Sequence, residues 1–341
     1  MPRPPAAAPE KSTIVLLSAL GRRALGFFSF VAPGPVAALA ERLFFTPPRP
    51  RRSRGEALLR SGPRHGVMVG GHRVAAWRFG RGPVVLLVHG WAGRAAQMTA
   101  FVGPLVARGF SVVAFDAPGH GASGRGLSSA VDFARAIRAL EREYGVFHAV
   151  VAHSLGAAAT ALALAGGVSA RRLVFLGPAA VPPAWALGFA RQWGLTDDVM
   201  ARMRVRSERR LGLPWEELDV PRLGRGRGEP LLVVHDRHDT EVPFADGRRI
   251  ASAWSGARLV ETTGLGHQRI LRDAAVVQHA IGFVAEDAPE ACACGAATAQ
   301  TCESCRLERE LFLREARWAA PGDASIGSWS GSSVPRSTSA P

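Results

Sequence analysis

From Val67 onward, short β-branched runs alternate with Ala- and Leu-rich stretches, and this alternation restricts the fold more than any other feature of the chain. Such runs, bounded by turn residues, read as strands, and the helical stretches between them set parallel strands side by side beneath helices. Strands are expected at 66–69, 72–79, 84–89, 111–116, 149–153, 172–176, 231–235 and 258–262, and helices at 97–108, 129–144, 155–165, 246–254 and 273–284. No helix separates the first two strands, so they should open the sheet as an antiparallel pair. The expectation is an α/β fold over residues 65–287, a mostly parallel eight-stranded sheet flanked by helices. One connection, between Gly177 and Glu229, is far longer than a loop and is helical in pattern around 185–193 and 197–211. An excursion of that size from the carboxyl edge of a parallel sheet covers a binding crevice, so residues 178–229 are read as a short helical cap.

Composition narrows what such a fold can serve. Apolar residues make up 47% of the 341 and charged residues 21%, which excludes wholesale disorder. No uninterrupted apolar run reaches the roughly 20 residues of a spanning helix, which excludes a polytopic membrane protein. The formal charge is +14, and Lys11 is the only lysine. The arginines are scattered rather than gathered on one face with interleaved aromatics, so no nucleic-acid partner is expected. Arg49, Arg51, Arg52 and Arg54 form one denser cluster.

That cluster closes an N-terminal extension, residues 1–64, that is apolar from Ile14 to Phe45 but broken by Arg22-Arg23, Pro33-Gly34-Pro35 and Glu41-Arg42. Two short helices are expected there, lying on the body of the protein or in a membrane interface with the arginines on lipid phosphates. Arg22-Arg23 and Ala38-Leu39-Ala40 imitate a signal peptide, but the basic pair sits too deep in the chain and follows Glu10. The expected location is cytoplasmic, with peripheral membrane association through residues 14–54 left open. At the other end, residues 288–318, Cys292, Cys294, Cys302 and Cys305 form C-x-C and C-x₂-C pairs that suit a structural zinc knuckle. Free or disulfide-paired thiols are the alternative. Residues 319–341 read as an unstructured Ser/Pro/Gly tail.

The chemistry centres on Ala152-His153-Ser154-Leu155-Gly156, which runs from a strand into an Ala-rich helix. It resembles the nucleophile elbow G-x-S-x-G, with alanine at the first glycine. Other motifs follow at strand ends: His89-Gly90-Trp91, Asp116-Ala117-Pro118-Gly119-His120-Gly121-Ala122-Ser123, Asp236-Arg237-His238-Asp239-Thr240-Glu241-Val242-Pro243 and Gly264-Leu265-Gly266-His267. Together, over residues 66–286, they resemble the α/β-hydrolase superfamily, and more narrowly its many uncharacterised bacterial serine hydrolases. The resemblance implies an α/β-hydrolase fold and a Ser154–His267–Asp239 triad. It also implies an oxyanion hole from the backbone amides of Trp91 and Leu155.

The roles agree with what acyl transfer needs. A serine hydroxyl requires a base as it attacks a carbonyl, an imidazole can take and return that proton, and a carboxylate holds the imidazole in the right tautomer. The expected substrate is a small molecule with a carboxylic ester, thioester or amide, and no cofactor is needed for the chemistry. Transfer to an acceptor other than water would use the same residues, and a non-enzymatic interaction protein on this fold is the remaining alternative. Asp236 and Glu241 are rivals to Asp239, the first standing where the family places a turn glycine and the second too late. His89, His120 and His235 read as structural, and strand alternation should point His153 away from Ser154. Ser123 reads as a turn residue. Trp91, Trp185, Phe189 and Trp193 are either an apolar pocket or simple core. The cap arginines Arg202, Arg204, Arg206, Arg209 and Arg210 suit a solvated helix face better than an anionic substrate.

Overall fold

The structure, a computed structural model, describes residues 19–48 and 55–286, together with Leu307 and Glu310. The four cysteines, the Arg49–Arg54 cluster and the C-terminal tail lie outside the described residues.

Eight strands form one sheet: β1 (Arg64–Val69), β2 (His72–Phe79), β3 (Val84–Val88), β4 (Ser111–Phe115), β5 (Phe147–His153), β6 (Ala170–Leu176), β7 (Leu231–Asp236) and β8 (Arg258–Thr262). Their order is β1-β2-β4-β3-β5-β6-β7-β8. β2 pairs antiparallel with β1 and β4, and every other pairing is parallel. This is the mostly parallel sheet with an antiparallel start that the residue pattern predicts. The register Val88↔Ala152 and Ala152↔Phe175 brings the carboxyl ends of β3, β5 and β6 to one edge, where a switch in strand order leaves a crevice.

The helices are α1 (Ala19–Val31), α2 (Pro33–Phe44), α3 (Glu56–Ser61), α4 (Val102–Ala107), α5 (Ala130–Tyr144) and α6 (Leu155–Ala165). After β6 come α7 (Ala184–Trp193), α8 (Asp197–Leu211) and α9 (Val220–Gly224), and then α10 (Phe244–Ala253), α11 (Gly266–Arg269) and α12 (Ala274–Ala285). One helix is shorter than its pattern: the stretch 97–108 is α-helical only over Val102–Ala107, after two 3₁₀ turns. Pro104 has no amide hydrogen and is tolerated only in a first turn, so the helix cannot start much earlier.

Strand alternation divides the core. Leu86, Val88, Val113, Val150 and Ala152 pack beneath α5 and α6, with Phe133, Ile137 and Ala157. Val85, Leu87, Val112, Ala149 and Val151 meet Phe101, Leu105, Val276 and Ile281 on the other face. Covering both faces explains why β3, β4 and β5 are apolar nearly throughout rather than alternating.

The N-terminal helices lie on the cap. The chain breaks at Ala32, the residue before a proline, and Pro33 then starts α2 with its φ already suited to a helix. Val36, Ala37 and Ala40 of α2 form a separate apolar cluster with Phe189 and Trp193 of α7 and Val199 and Met203 of α8. Glu41, 6% exposed, is held by Arg206 Nε at 3.0 Å and Arg210 Nε at 3.1 Å, and the Arg210 guanidinium lies 4.3 Å from the Phe45 ring centroid. An acid at the helix seam is thus paired rather than solvated, which registers α2 against α8. No helix among the described residues is long and apolar enough to cross a membrane.

Candidate active site

Ser154 occupies the turn between β5 and α6 at φ +53°, ψ −119°, one of two non-glycine residues in the described chain with positive φ. That backbone costs about 1–3 kcal/mol and persists only where its surroundings impose it. Here its amide donates to Leu176 O at 3.0 Å, which ties the turn to β6. Gly156 is needed because a Cβ there would stand 2.5 Å from His89 O. The serine therefore sits above the sheet edge at the positive end of α6.

Asp239 and His267 meet as the motif order implies. His267 Nδ1 donates to Asp239 Oδ2 at 2.6 Å, and Asp239 Oδ1 accepts from the amides of Glu241 and Val242 at 2.8 and 2.9 Å. His235 Nε2 lies 3.4 Å from the same Oδ2 and donates to Val242 O at 3.2 Å. Burial pushes the Asp239 carboxyl up, but hydrogen bonds from His235, His267 and the Val242 amide outweigh it and hold the group well below the usual carboxylate range. Ser154 and His267 line one cavity without a hydrogen bond between their side chains. Such contacts tighten when substrate enters.

The rivals are placed elsewhere. Asp236 is fully buried, accepting from Thr262 Oγ1 at 2.8 Å, Leu265 N at 2.9 Å and His238 N at 2.9 Å. It bolts the loop carrying His267 to the end of β7. Glu241 accepts from Gln268 Nε2 at the cavity wall. Ser123 accepts from Ala75 N at 2.8 Å and donates to Asp116 O, the turn role read from its loop.

His153 corrects the alternation argument. It does lie on the face of Val151, away from the Ser154 turn, but the His267 loop folds over that same face. The two imidazole rings are 4.5 Å apart, His153 Nε2 donates to His267 O at 3.0 Å, and both line the cavity. Alternation gives a direction along the strand and says nothing of which loop returns to meet it. Gly177, not singled out by its motif, is the other omission: at φ +51° a Cβ would come within 3.1 Å of His267 Nδ1 and 3.3 Å of Asp239 Oδ2. Its signal in the sequence is a lone glycine at the end of β6.

The loops after β3 and β4 are held by neutral histidines. The Ala117 amide donates to His89 Nε2 at 3.0 Å, so Nδ1 carries the proton and donates to Gly90 O at 2.7 Å. The Ala92 amide donates to His120 Nε2 at 3.2 Å, and His120 Nδ1 donates to Pro118 O at 3.0 Å. Burial lowers His89 to about 3 and His120 to about 4, and holds His153 well below its ordinary value. The amides of Trp91 and Leu155, which also line the cavity, have no acceptor among the described residues.

Those neutral histidines give a stability signature. A group whose folded pKa lies below its unfolded value stabilises the fold above the unfolded value, near 6.5 for histidine, and loses that contribution as pH falls through the window. The urea midpoint is expected to decline from pH 7 to pH 5, as the histidines of the unfolded chain take up protons that these three do not. A flat midpoint over that range would contradict the neutral assignment of His89, His120 and His153.

The cavity has a volume of about 380 Å³. Its walls are Leu43, Phe44 and Phe45 at the end of α2, Trp185, Phe189 and Trp193 of α7, Leu211 at the end of α8, and Trp215 and Leu218 beyond it. Trp91 closes it beside Ser154. The aromatics thus line a pocket, and among the described residues no arginine does: Arg202 pairs with Asp198, and Arg204 with Glu208 and Glu216, on the outer face of α8. Among the described residues, no group of three or more His, Cys, Asp or Glu could hold a metal ion.

A sheet of this order, with a serine at the turn after β5, an acid after β7 and a histidine after β8, defines the α/β-hydrolase fold. The sequence model of the alpha/beta hydrolase family matches residues 84–285, and the chain belongs to that family. Similar solved structures include a bromoperoxidase from Bacillus anthracis, at 18% identity and TM-score 0.53, covering 66% of this chain and 100% of that one. Est1E from Butyrivibrio proteoclasticus, solved with ferulic acid, is 19% identical at TM-score 0.52, covering 65% and 96%. An esterase from Exiguobacterium antarcticum is 15% identical at TM-score 0.50, covering 64% and 98%. At these identities the likeness is one of fold. No curated protein matches the sequence.

Proposed function

We propose that the protein is a serine hydrolase that cleaves a carboxylic ester, thioester or amide through an acyl-enzyme. The observation that carries the reading is the 2.6 Å Asp239–His267 pair, whose histidine lines one cavity with a serine held at φ +53° at the head of a helix. His267 Nε2 takes the Ser154 proton as Oγ attacks the substrate carbonyl, and Asp239 stabilises the imidazolium that forms. The amides of Trp91 and Leu155 receive the developing oxyanion. Collapse expels the alcohol, thiol or amine, which leaves with the proton from His267, and water then releases the acid by the same steps in reverse.

The largely apolar wall favours an uncharged, apolar acyl group. An esterase among the similar structures supports an ester as the first substrate to try. The test is intact mass after exposure to a fluorophosphonate probe, followed by a series of nitrophenyl esters of rising acyl length. One adduct per chain and a rate that rises and then falls with chain length are expected. A folded protein that neither labels nor hydrolyses any member of the series would end the reading.

A further inference from the structure

Helix α1 turns two faces to different surroundings. Leu25 and Ser29, one turn apart, face the cap: Leu25 packs against the α2–α7–α8 cluster, and the Ser29 carbonyl accepts from Thr196 Oγ1 at 3.4 Å. On the outer side, Phe27, Phe28, Phe30 and Val31 are between 51 and 78% exposed. Burying them elsewhere would be favourable, and single domains rarely leave so many large apolar groups together in water.

This apolar tip runs into a basic surface. Gly34, just past the tip, shares a depression with Val205 and Arg209 of α8. Arg209 also lines a wider groove with Leu39, Arg42, Arg125 and Leu127. Leu39, Leu127 and Val205 are themselves exposed. Arg42, Arg125 and Arg209 have no acidic partner among the described residues, unlike the neighbouring Arg202, Arg206 and Arg210. Unpaired guanidiniums therefore stand beside exposed Leu and Val, and Arg209 links their groove to Gly34 just past the Phe-rich tip.

We propose that this face docks the protein on an anionic lipid bilayer. Phe27, Phe28, Phe30 and Val31 would enter the boundary between headgroups and acyl chains, and Arg42, Arg125 and Arg209 would meet lipid phosphates through their planar forks. A nucleic acid would satisfy the arginines and leave the phenylalanines in water. A second copy across a twofold axis would set the unpaired cations of one chain near those of the other. The bilayer satisfies both halves of the surface. Thr46 lines the arginine groove and the cavity alike, so a docked molecule holds its cavity next to the lipid. The proposal does not depend on hydrolysis.

The test is co-sedimentation of the full chain with vesicles of phosphatidylcholine, with and without phosphatidylglycerol. The wild type is expected to pellet with the anionic vesicles and to release at high salt. A Phe28→Ser/Phe30→Ser pair should weaken binding about tenfold or more, since each ring forfeits its burial. An Arg42→Gln/Arg125→Gln/Arg209→Gln set should erase the preference for anionic lipid. Fluorophosphonate labelling and melting temperature of both variants should match the wild type, because none of these side chains lines the cavity. A wild type that stays in the supernatant, or variants that pellet as it does, would overturn the proposal. A lipid-free dimer that the Phe variant converts to monomer would overturn it in favour of a second copy.

Discussion

Ser154→Ala is expected to lower turnover of an ester by about five to six orders of magnitude. In the proposed mechanism the three residues work as a unit, so removing the attacking oxygen leaves His267 and Asp239 with no proton to take and no acyl-enzyme to form. The turn itself should survive, because alanine keeps the Cβ and the same φ of +53°. Ser154→Gly separates chemistry from strain. It should be equally inactive yet more stable, by up to the 1–3 kcal/mol or so that a positive φ costs a non-glycine residue. Steady-state rates and urea midpoints for the three proteins check both halves. Activity retained by Ser154→Ala would place the nucleophile elsewhere, and an unchanged midpoint for Ser154→Gly would mean the elbow stores no strain.

Asp239→Asn should cost about 10,000-fold in kcat with little change in KM. An amide at this position cannot accept at both oxygens from His267, His235 and the amides of Glu241 and Val242. One of these donors then faces an NH₂ group, and His267 is released from the tautomer that leaves Nε2 free to accept the serine proton. The wild-type carboxylate contributes stability above its unfolded pKa, near 4, and loses it only as pH falls below that value. Asp239 is therefore ionised throughout the neutral range. Any acid limb of the kcat/KM profile between pH 5 and 8 should arise from neither Asp239 nor His89 nor His120. A variant retaining a tenth of the wild-type rate would show that Asp239 is not the group orienting His267.

Much of this arrangement is legible in the residues, and particular positions show why the remainder is not. β-branched runs such as Val84-Val85-Leu86-Leu87-Val88 have too few structural options to be misread, and the motif serine, acid and histidine fall at strand ends that the runs themselves delimit. His153 and Gly177 escape because their importance lies in which loop returns to meet them, a tertiary fact that periodicity does not encode. Asp236 reads as a departure from a turn glycine, yet its carboxylate supplies the acceptors that the His267 loop needs, a compensation visible only once Thr262 and the Leu265 amide are brought to it. The break at 97–108 comes from a single proline whose position within the first turn decides where the helix can begin.

The cavity wall contributed by Leu43, Phe44 and Phe45 lies some forty residues ahead of the family's own match, which begins at residue 84. The cavity wall is thereby drawn from two stretches of the chain, the matched region with Trp91 and residues 185–218, and a stretch that lies ahead of the match. Two proteins could agree at every position of the matched region and still sort acyl groups differently. A piece trimmed to that region would keep the elbow, the acid and the histidine, but in an open cleft rather than a closed pocket. For this chain, a piece that keeps the whole of that cavity wall must include the end of α2.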